Sequence, residues 1–295
     1  MKNETCFSAL LQAFFTDRLI RQRQASSDTI ASYRDAFCLL FKYVKISLDK
    51  LPSELEIEDL DASIIVDFLF WLENERGNSV RTRNARLAAI HSFFKYAAMY
   101  DPCHSAIIQR ILAIPGKKCK RTIVGYLIPS ETEALLAAPD LTSWGGRRDQ
   151  TLLLLMLRTG LRVSETVGLN CQNVILDTGA HVMCNGKGRK ERCTPLDKQS
   201  VTSLRNWLIE RNGSPLDPLF PNARGNRMSR DGIEYILRKH VRGAAQKCPS
   251  LKKKNISPHV LRHTTAMNML LSGIDRSVIA LWLGHENLET VNIYV

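Results

Sequence analysis

The sequence predicts a mainly α chain with a small antiparallel sheet, an α+β architecture in two domains. Three observations carry this. The 295 residues exceed the length at which one hydrophobic core stops growing. Apolar side chains recur at helical spacing through the first third and again after Ser200. Between these stretches, residues 173–197 (NVILDTGAHVMCNGKGRKERCTPLD) break the helical period with β-branched runs separated by turn residues.

Residues 1–115 form the first domain. Ser27 or Asp28 caps a helix from about Thr29 to Val44, with Tyr33, Phe37, Leu40 and Phe41 on one face. Ile64, Ile65, Phe68, Leu69 and Leu72 mark a second helix, and Leu87, Ile90, Phe93, Phe94 and Ala97 a third. Four or five helices packed as a small bundle account for the pattern. Within it, residues 77–100 carry Arg81, Arg83, Arg86, His91 and Lys95 but no acid. Such a run is either a solvated helix face or a surface that tracks phosphates.

Residues 116–128 form the linker. The stretch PGKKCKRTIVGYLIP places Lys117, Lys118, Lys120 and Arg121 between bounding prolines, a composition suited to crossing a DNA backbone. The second domain, 129–295, opens on a helix at Pro129-Ser130-Glu131. A buried helix over Asp149–Arg158 stops at Gly160, and a sheet of about three strands follows. Helices resume around Leu204, Trp207 and Leu208, then Ile233, Ile236 and Leu237, with two more beyond.

Charge separates the two domains. The chain carries a formal net charge of +12 and a pI near 9.4. Residues 1–115 hold 14 basic and 14 acidic side chains, so the whole excess lies in the remainder. The second domain is therefore matched to a polyanion, either nucleic acid or an acidic membrane surface. The eight cysteines include no C-x-x-C pair and no zinc-finger spacing, so they are expected as reduced thiols with no metal. The longest apolar run, Leu152–Leu157, is too short to span a bilayer, and the N-terminus lacks a secretory signal. These features place the protein in the cytoplasm.

Four short stretches could carry chemistry. In Ser257-Pro258-His259-Val260-Leu261-Arg262-His263, a capping serine and a proline at the first helical position put His259, Arg262 and His263 at a helix N-terminus, where anions bind. In Thr159-Gly160-Leu161-Arg162-Val163-Ser164-Glu165, Arg162 lies between a helix stop and a new cap at Ser164, within reach of Glu165. The hairpin tip 185–192 flanks Lys187 with glycines and adds Arg189, Lys190 and Arg192. There the lysine can act as proton donor or phosphate clamp. Finally, a helix from Arg276 to Leu283, capped by Asp275 and stopped by Gly284, delivers His285, with Tyr294 nine positions later. Together these supply a phosphoryl transfer that needs no metal. Tyr294 is the candidate nucleophile, Arg162 and Arg262 neutralise the phosphate oxygens, His259 accepts a proton, and Lys187 protonates the leaving oxygen.

Arg162 in TGLRVSE, Lys187 in GKGRKER, His259-x-x-Arg262-His263, Leu283-Gly284-His285 and Tyr294 occur in an order that resembles the tyrosine recombinase (phage integrase) family. The first domain, with SSDTIASYRDAF and SVRTRNARLAAIHSFFKYA, resembles that family's core-binding domain. The resemblance implies a two-domain clamp on duplex DNA, a helical core-binding domain and a mixed catalytic domain. It implies that Tyr294 attacks a scissile phosphate to give a 3′-phosphotyrosyl enzyme and a free 5′-hydroxyl, without cofactor, ATP or metal. Arg162 and Arg262 would bind the phosphate, Lys187 would be general acid, His259 would assist as base, and His285 would hydrogen-bond the phosphate. Glu165 would orient the catalytic arginine and His263 would support. Arg81, Arg83, Arg86, Lys95, Lys117, Lys118, Lys120, Arg121, Arg189, Lys190 and Arg192 are the expected DNA contacts.

The implied partner is double-stranded DNA with paired inverted half-sites, bound by a homodimer per site and a homotetramer in synapsis, with nucleoid association and no membrane. Integration, excision or transposition of a mobile element is the expected role. The alternatives are chromosome or plasmid dimer resolution, an accessory DNA-binding protein of the same fold, or a type IB topoisomerase. Family members usually continue past the tyrosine with a helix that docks on a neighbour, so an end at Val295 suggests a shortened chain and weakened tetramer assembly.

Overall fold

The computed structural model describes residues 6–119, 125–185 and 191–284. It divides into two compact units, Met1–Arg121 and Thr122–Val295.

The first unit contains α1 (Phe7–Ala13), continued by a wider π-type helix over Phe14–Gln22, then α2 (Ser27–Leu48), α3 (Ala62–Asn74), α4 (Val80–Ala97) and α5 (Ser105–Leu112). Serines and an aspartate start α2, α3 and α4 by accepting otherwise unsatisfied N–H groups. Ser26 accepts from Thr29, Asp61 from Ile64 and Ser79 from Thr82. The α2 cap is thus Ser26, one residue before the pair the sequence suggested. Phe93 is the aromatic hub, meeting Phe7, Phe14 and Phe37 edge-on with centroids 5.4–5.6 Å apart.

The basic run on α4 does not face one way. Arg81 and Lys95 are exposed. Arg83 is only 6% exposed and donates to Asn84 Oδ1 and to the Pro115 carbonyl. Helical spacing explains this, because Arg83 shares a face with buried Leu87, Ile90 and Phe94. Arg86 is half-buried, and burial pushes its guanidinium below the ordinary arginine value. Arg83 therefore holds the departing chain in place and is not the phosphate contact expected of it. Lys117 is exposed, pairs with Glu73 at 2.7 Å and lies over the Phe70 ring. Lys118 is exposed, while Lys120 and Arg121 lie outside the described residues.

His104 joins two segments of this unit. Its Nδ1 meets Asp101 Oδ2 at 2.6 Å and its Nε2 meets Glu58 Oε1 at 2.5 Å. Asp101, then Glu58, raise the imidazole above its ordinary 6.5. A raised folded value means that the bridge stabilises fully below the ordinary 6.5 and is lost as pH rises through the higher folded value. NMR titration of the histidine ring protons in the full chain should place His104 above 6.5 and find it lowered in Asp101→Asn. An unshifted His104 would contradict this.

The second unit runs α6 (Pro129–Leu136), α7 (Trp144–Thr159), α8 (Val163–Gly168), β1 (Val174–Ile175), β2 (His181–Asn185), β3 (Glu191–Pro195), α9 (Lys198–Arg211), α10 (Arg230–Lys247), α11 (Pro258–Leu271) and α12 (Arg276–Leu283). The sheet is antiparallel in the order β1-β2-β3, with Val182 opposite Thr194 and Cys184 opposite Arg192. α7 is the central helix. Leu152 to Leu157 are all buried, and α9 and α11 pack against it. It begins at Trp144, earlier than the sequence suggested, because Ser143 accepts from Gly146 N–H and starts a turn that two glycines conceal.

Two buried carboxylates fasten the frame around the site. Asp149 on α7 meets His240 on α10 at 2.8 Å. Burial pushes the Asp149 carboxyl up, but His240 and Arg148 outweigh it and hold the group below the usual range. Glu131 on α6 meets Lys254 at 2.6 Å, and Lys254 also donates to the Tyr126 carbonyl. This ties the entry into the unit to the segment leading into α11. Among the described residues, no helix is long and apolar enough to cross a membrane.

Candidate active site

The site is built where α7 ends, α11 begins and α12 ends. Gly160 terminates α7 in the left-handed conformation (φ 65°), which a side chain would strain. A Cβ there would lie 2.6 Å from Leu283 Cδ2 and 3.3 Å from Thr265 Cβ. The end of α7 thus lies directly against α11 and α12. Gly160→Ala should cost about 2 kcal/mol or more in denaturant unfolding of the full chain. Unchanged stability would contradict the close approach.

Leaving Gly160, the chain caps α8 with Arg162. This corrects the sequence-based placement of the cap at Ser164, which lies inside the helix. The Glu165 carboxylate accepts from the Arg162 backbone N–H at 2.8 Å, so the acid three residues on satisfies the N-terminal donor. The same carboxylate takes Arg162 Nη1 at 2.8 Å through Oε1. Glu165 has a side chain only 3% exposed and is no surface partner, whereas Arg162 retains 30%. Arg162 Nη2 reaches forward to the Gly284 carbonyl at 3.0 Å.

Arg262 comes from the start of the second turn of α11. Ser257 occupies the cap position and Pro258 the first helical position, although Ser257 makes no side-chain cap bond. As the fifth and sixth residues of the helix, Arg262 and His263 point inward, each 5% exposed, while His259 is exposed. Arg262 donates through Nη1 to the Gly160 carbonyl at 2.6 Å and through Nη2 to the Leu283 carbonyl at 2.5 Å. His263 packs edge-on to Tyr126, with ring centroids 6.4 Å apart. Thr265 donates to the Leu157 carbonyl, and Trp282 Nε1 donates to the Thr159 carbonyl, locking α11 and α12 to the end of α7.

Arg162 and Arg262 therefore converge on two consecutive carbonyls, Leu283 and Gly284, immediately before His285. A planar guanidinium that reaches a carbonyl oxygen presents the same donors to a phosphate oxygen. Two such groups at a partly enclosed position can stabilise charge developing on a phosphoryl centre, with exposed His259 beside them at a helix N-terminus. Lys187, Arg189, Lys190, His285 and Tyr294 lie outside the described residues.

A family model described as the phage integrase family matches residues 126–295, the segment that holds this arrangement. The chain belongs to the phage integrase family. A second model, the phage integrase N-terminal SAM-like domain, matches residues 13–99. The chain is 52% identical over its full length to a Sinorhizobium fredii protein named "Putative integrase/recombinase y4rC", covering 89% of that protein. It is 31% identical over 95% of its length to the tyrosine recombinase XerD of Pseudomonas putida, covering 90% of that chain. Among solved structures, a XerH site-specific recombinase bound to its difH substrate matches with TM-score 0.73 and 23% identity, over 92% of this chain and 77% of that one. The Tn1549 transposon integrase in complex with a circular intermediate DNA matches with TM-score 0.73 and 16% identity, over 97% and 95%. This phage integrase family member is thus a tyrosine-type site-specific DNA recombinase, an enzyme of DNA strand transesterification.

Arg192 was expected among the DNA contacts. Its side chain is only 13% exposed, and its Nη2 meets Glu165 Oε2 at 2.7 Å. Nη1 donates to the Leu283 carbonyl. The signal that places it inward is the two-residue alternation of β3, in which Arg192 shares a face with fully buried Thr194 and lies opposite buried Cys184.

Proposed function

We propose that this recombinase cuts and rejoins DNA through a 3′-phosphotyrosyl intermediate, in the integration, excision or transposition of a mobile element. The convergence of Arg162 and Arg262 on the Leu283 and Gly284 carbonyls, just before His285 in the sequence, carries this reading, because it gathers two phosphate donors at one point of the fold. Tyr294 attacks the scissile phosphate, whose non-bridging oxygens Arg162 and Arg262 hold as charge builds there. His259 takes the tyrosine proton, Lys187 protonates the departing 5′-oxygen and His285 hydrogen-bonds the phosphate. Reversal of the same steps with a partner strand reseals the DNA. Exposed Arg81, Lys95, Lys117 and Lys118, with Lys120, Arg121, Arg189 and Lys190, contact the duplex backbone. A dimer binds each pair of inverted half-sites and two dimers assemble for exchange.

The 52% relative named for integration or recombination and the likeness to a transposon integrase favour the mobile-element role. The 31% identity to XerD supports dimer resolution as the second reading. A plasmid carrying two copies of the element's joined ends tests the proposal. Strand exchange that changes plasmid topology is expected, whereas binding without exchange would leave an accessory DNA-binding role.

A further inference from the structure

We infer that Arg192 is a positioning residue that holds Arg162 and the end of α12 in register for cleavage. The Glu165 carboxylate is divided between two arginines. Oε1 accepts from Arg162 Nη1 at 2.8 Å, and Oε2 accepts from Arg192 Nη2 at 2.7 Å. Arg192 shares the second oxygen with the Arg162 backbone N–H, so Glu165 meets the Arg162 guanidinium through Oε1 alone and not as a two-toothed fork. The Arg162 Nη2 group stays turned to the Gly284 side of the site. The other end of Arg192 donates to the Leu283 carbonyl, the oxygen that Arg262 also uses. A Cβ on Gly284 would lie 2.2 Å from Arg192 Nη1, so the guanidinium packs directly against the backbone that precedes His285. One side chain thereby links the acid that orients Arg162 to the carbonyl that anchors Arg262.

Charge makes the arrangement purposeful. Glu165 paired with Arg162 alone would offset that arginine and leave Arg262 as the one net positive charge of the three. With Arg162 and Arg192 on the one carboxylate and Arg262 on the adjoining Gly160 and Leu283 carbonyls, three guanidiniums set against one acid leave a net positive site.

The inference rests on the proposed role of Arg162 and Arg262 in holding the scissile phosphate. Its test is single-turnover cleavage of a nicked duplex by the full chain, comparing wild type, Arg192→Gln and Arg192→Lys, with thermal melts of each. Arg192→Gln should bind DNA with unchanged half-saturation but cleave about 100-fold more slowly, as expected of a misplaced catalytic group. Arg192→Lys, which keeps the charge but cannot bridge both acceptors, should recover about tenfold of that loss. It also carries the test if Arg192→Gln fails to fold. On DNA whose scissile phosphate is a neutral methylphosphonate, the Arg192→Gln defect should shrink by about tenfold, because less charge has to be delivered.

Wild-type cleavage with either variant at the wild-type rate would overturn the inference. So would a defect of equal size on the neutral linkage, which would mark a merely structural role. A wild type that forms no adduct would overturn the phosphotyrosyl reading itself and this inference with it.

Discussion

Tyr294→Phe should abolish covalent attachment to DNA while leaving DNA affinity within about twofold, the range expected for a change that removes no binding contact. The substitution keeps the ring and deletes only the oxygen that would bond to phosphorus. A phenol has an unperturbed pKa of about 10, so its attack at neutral pH depends on a base and on nearby positive charge. The structure gathers Arg162 and Arg262 on the Gly284 and Leu283 carbonyls, the residues that precede His285 in the sequence. Denaturing gels of nicked duplex, paired with gel shifts, measure both quantities. Attachment by the Phe variant would exclude Tyr294 as the nucleophile.

Arg262→Ala should slow cleavage by about 10²–10³-fold, the loss typical when a preorganised donor to a developing charge is removed. It should also destabilise the second unit. Arg262 is buried and satisfies the Gly160 and Leu283 carbonyls, and an alanine leaves both without that donor at a cost of about 1–3 kcal/mol. Arg262→Lys separates the two effects, since it restores charge without the planar fork. It should fold nearer to wild type yet still cleave slowly. Single-turnover rates and thermal melts of both variants check this. Rapid cleavage by a folded Arg262→Ala protein would contradict the role of Arg262 at the phosphate.

The helix boundaries that frame the described part of this site are legible in the sequence because their signals are local. Asp275 and Gly284 delimit α12 as expected, since the aspartate caps Ser277 and the glycine alone adopts φ 63° comfortably. Glu165 lies three residues after Arg162, the spacing that lets an acid return to the first turn of a helix. Direction is what composition hides. Arg83 and Arg86 add to the basic count of α4, but the apolar face that includes Leu87 and Ile90 draws both inward. Arg192 adds to the count of a charged hairpin, but strand alternation turns it toward Glu165. The meeting of Arg162 with Gly284 spans 122 positions in the chain. No periodicity reports such a contact, because it depends on how α7, α11 and α12 pack.

The most direct test of the phosphotyrosyl account is to identify the residue that carries the DNA. The protein is incubated with a nicked duplex bearing candidate element ends in EDTA, denatured and digested, and the nucleotide-linked peptide is sequenced by mass spectrometry. The account predicts one modified peptide, with the 3′-phosphate of the cleaved strand on the Tyr294 oxygen and a free 5′-hydroxyl on the released strand. A nucleotide on any other residue, or cleavage that leaves no protein attached, would contradict it.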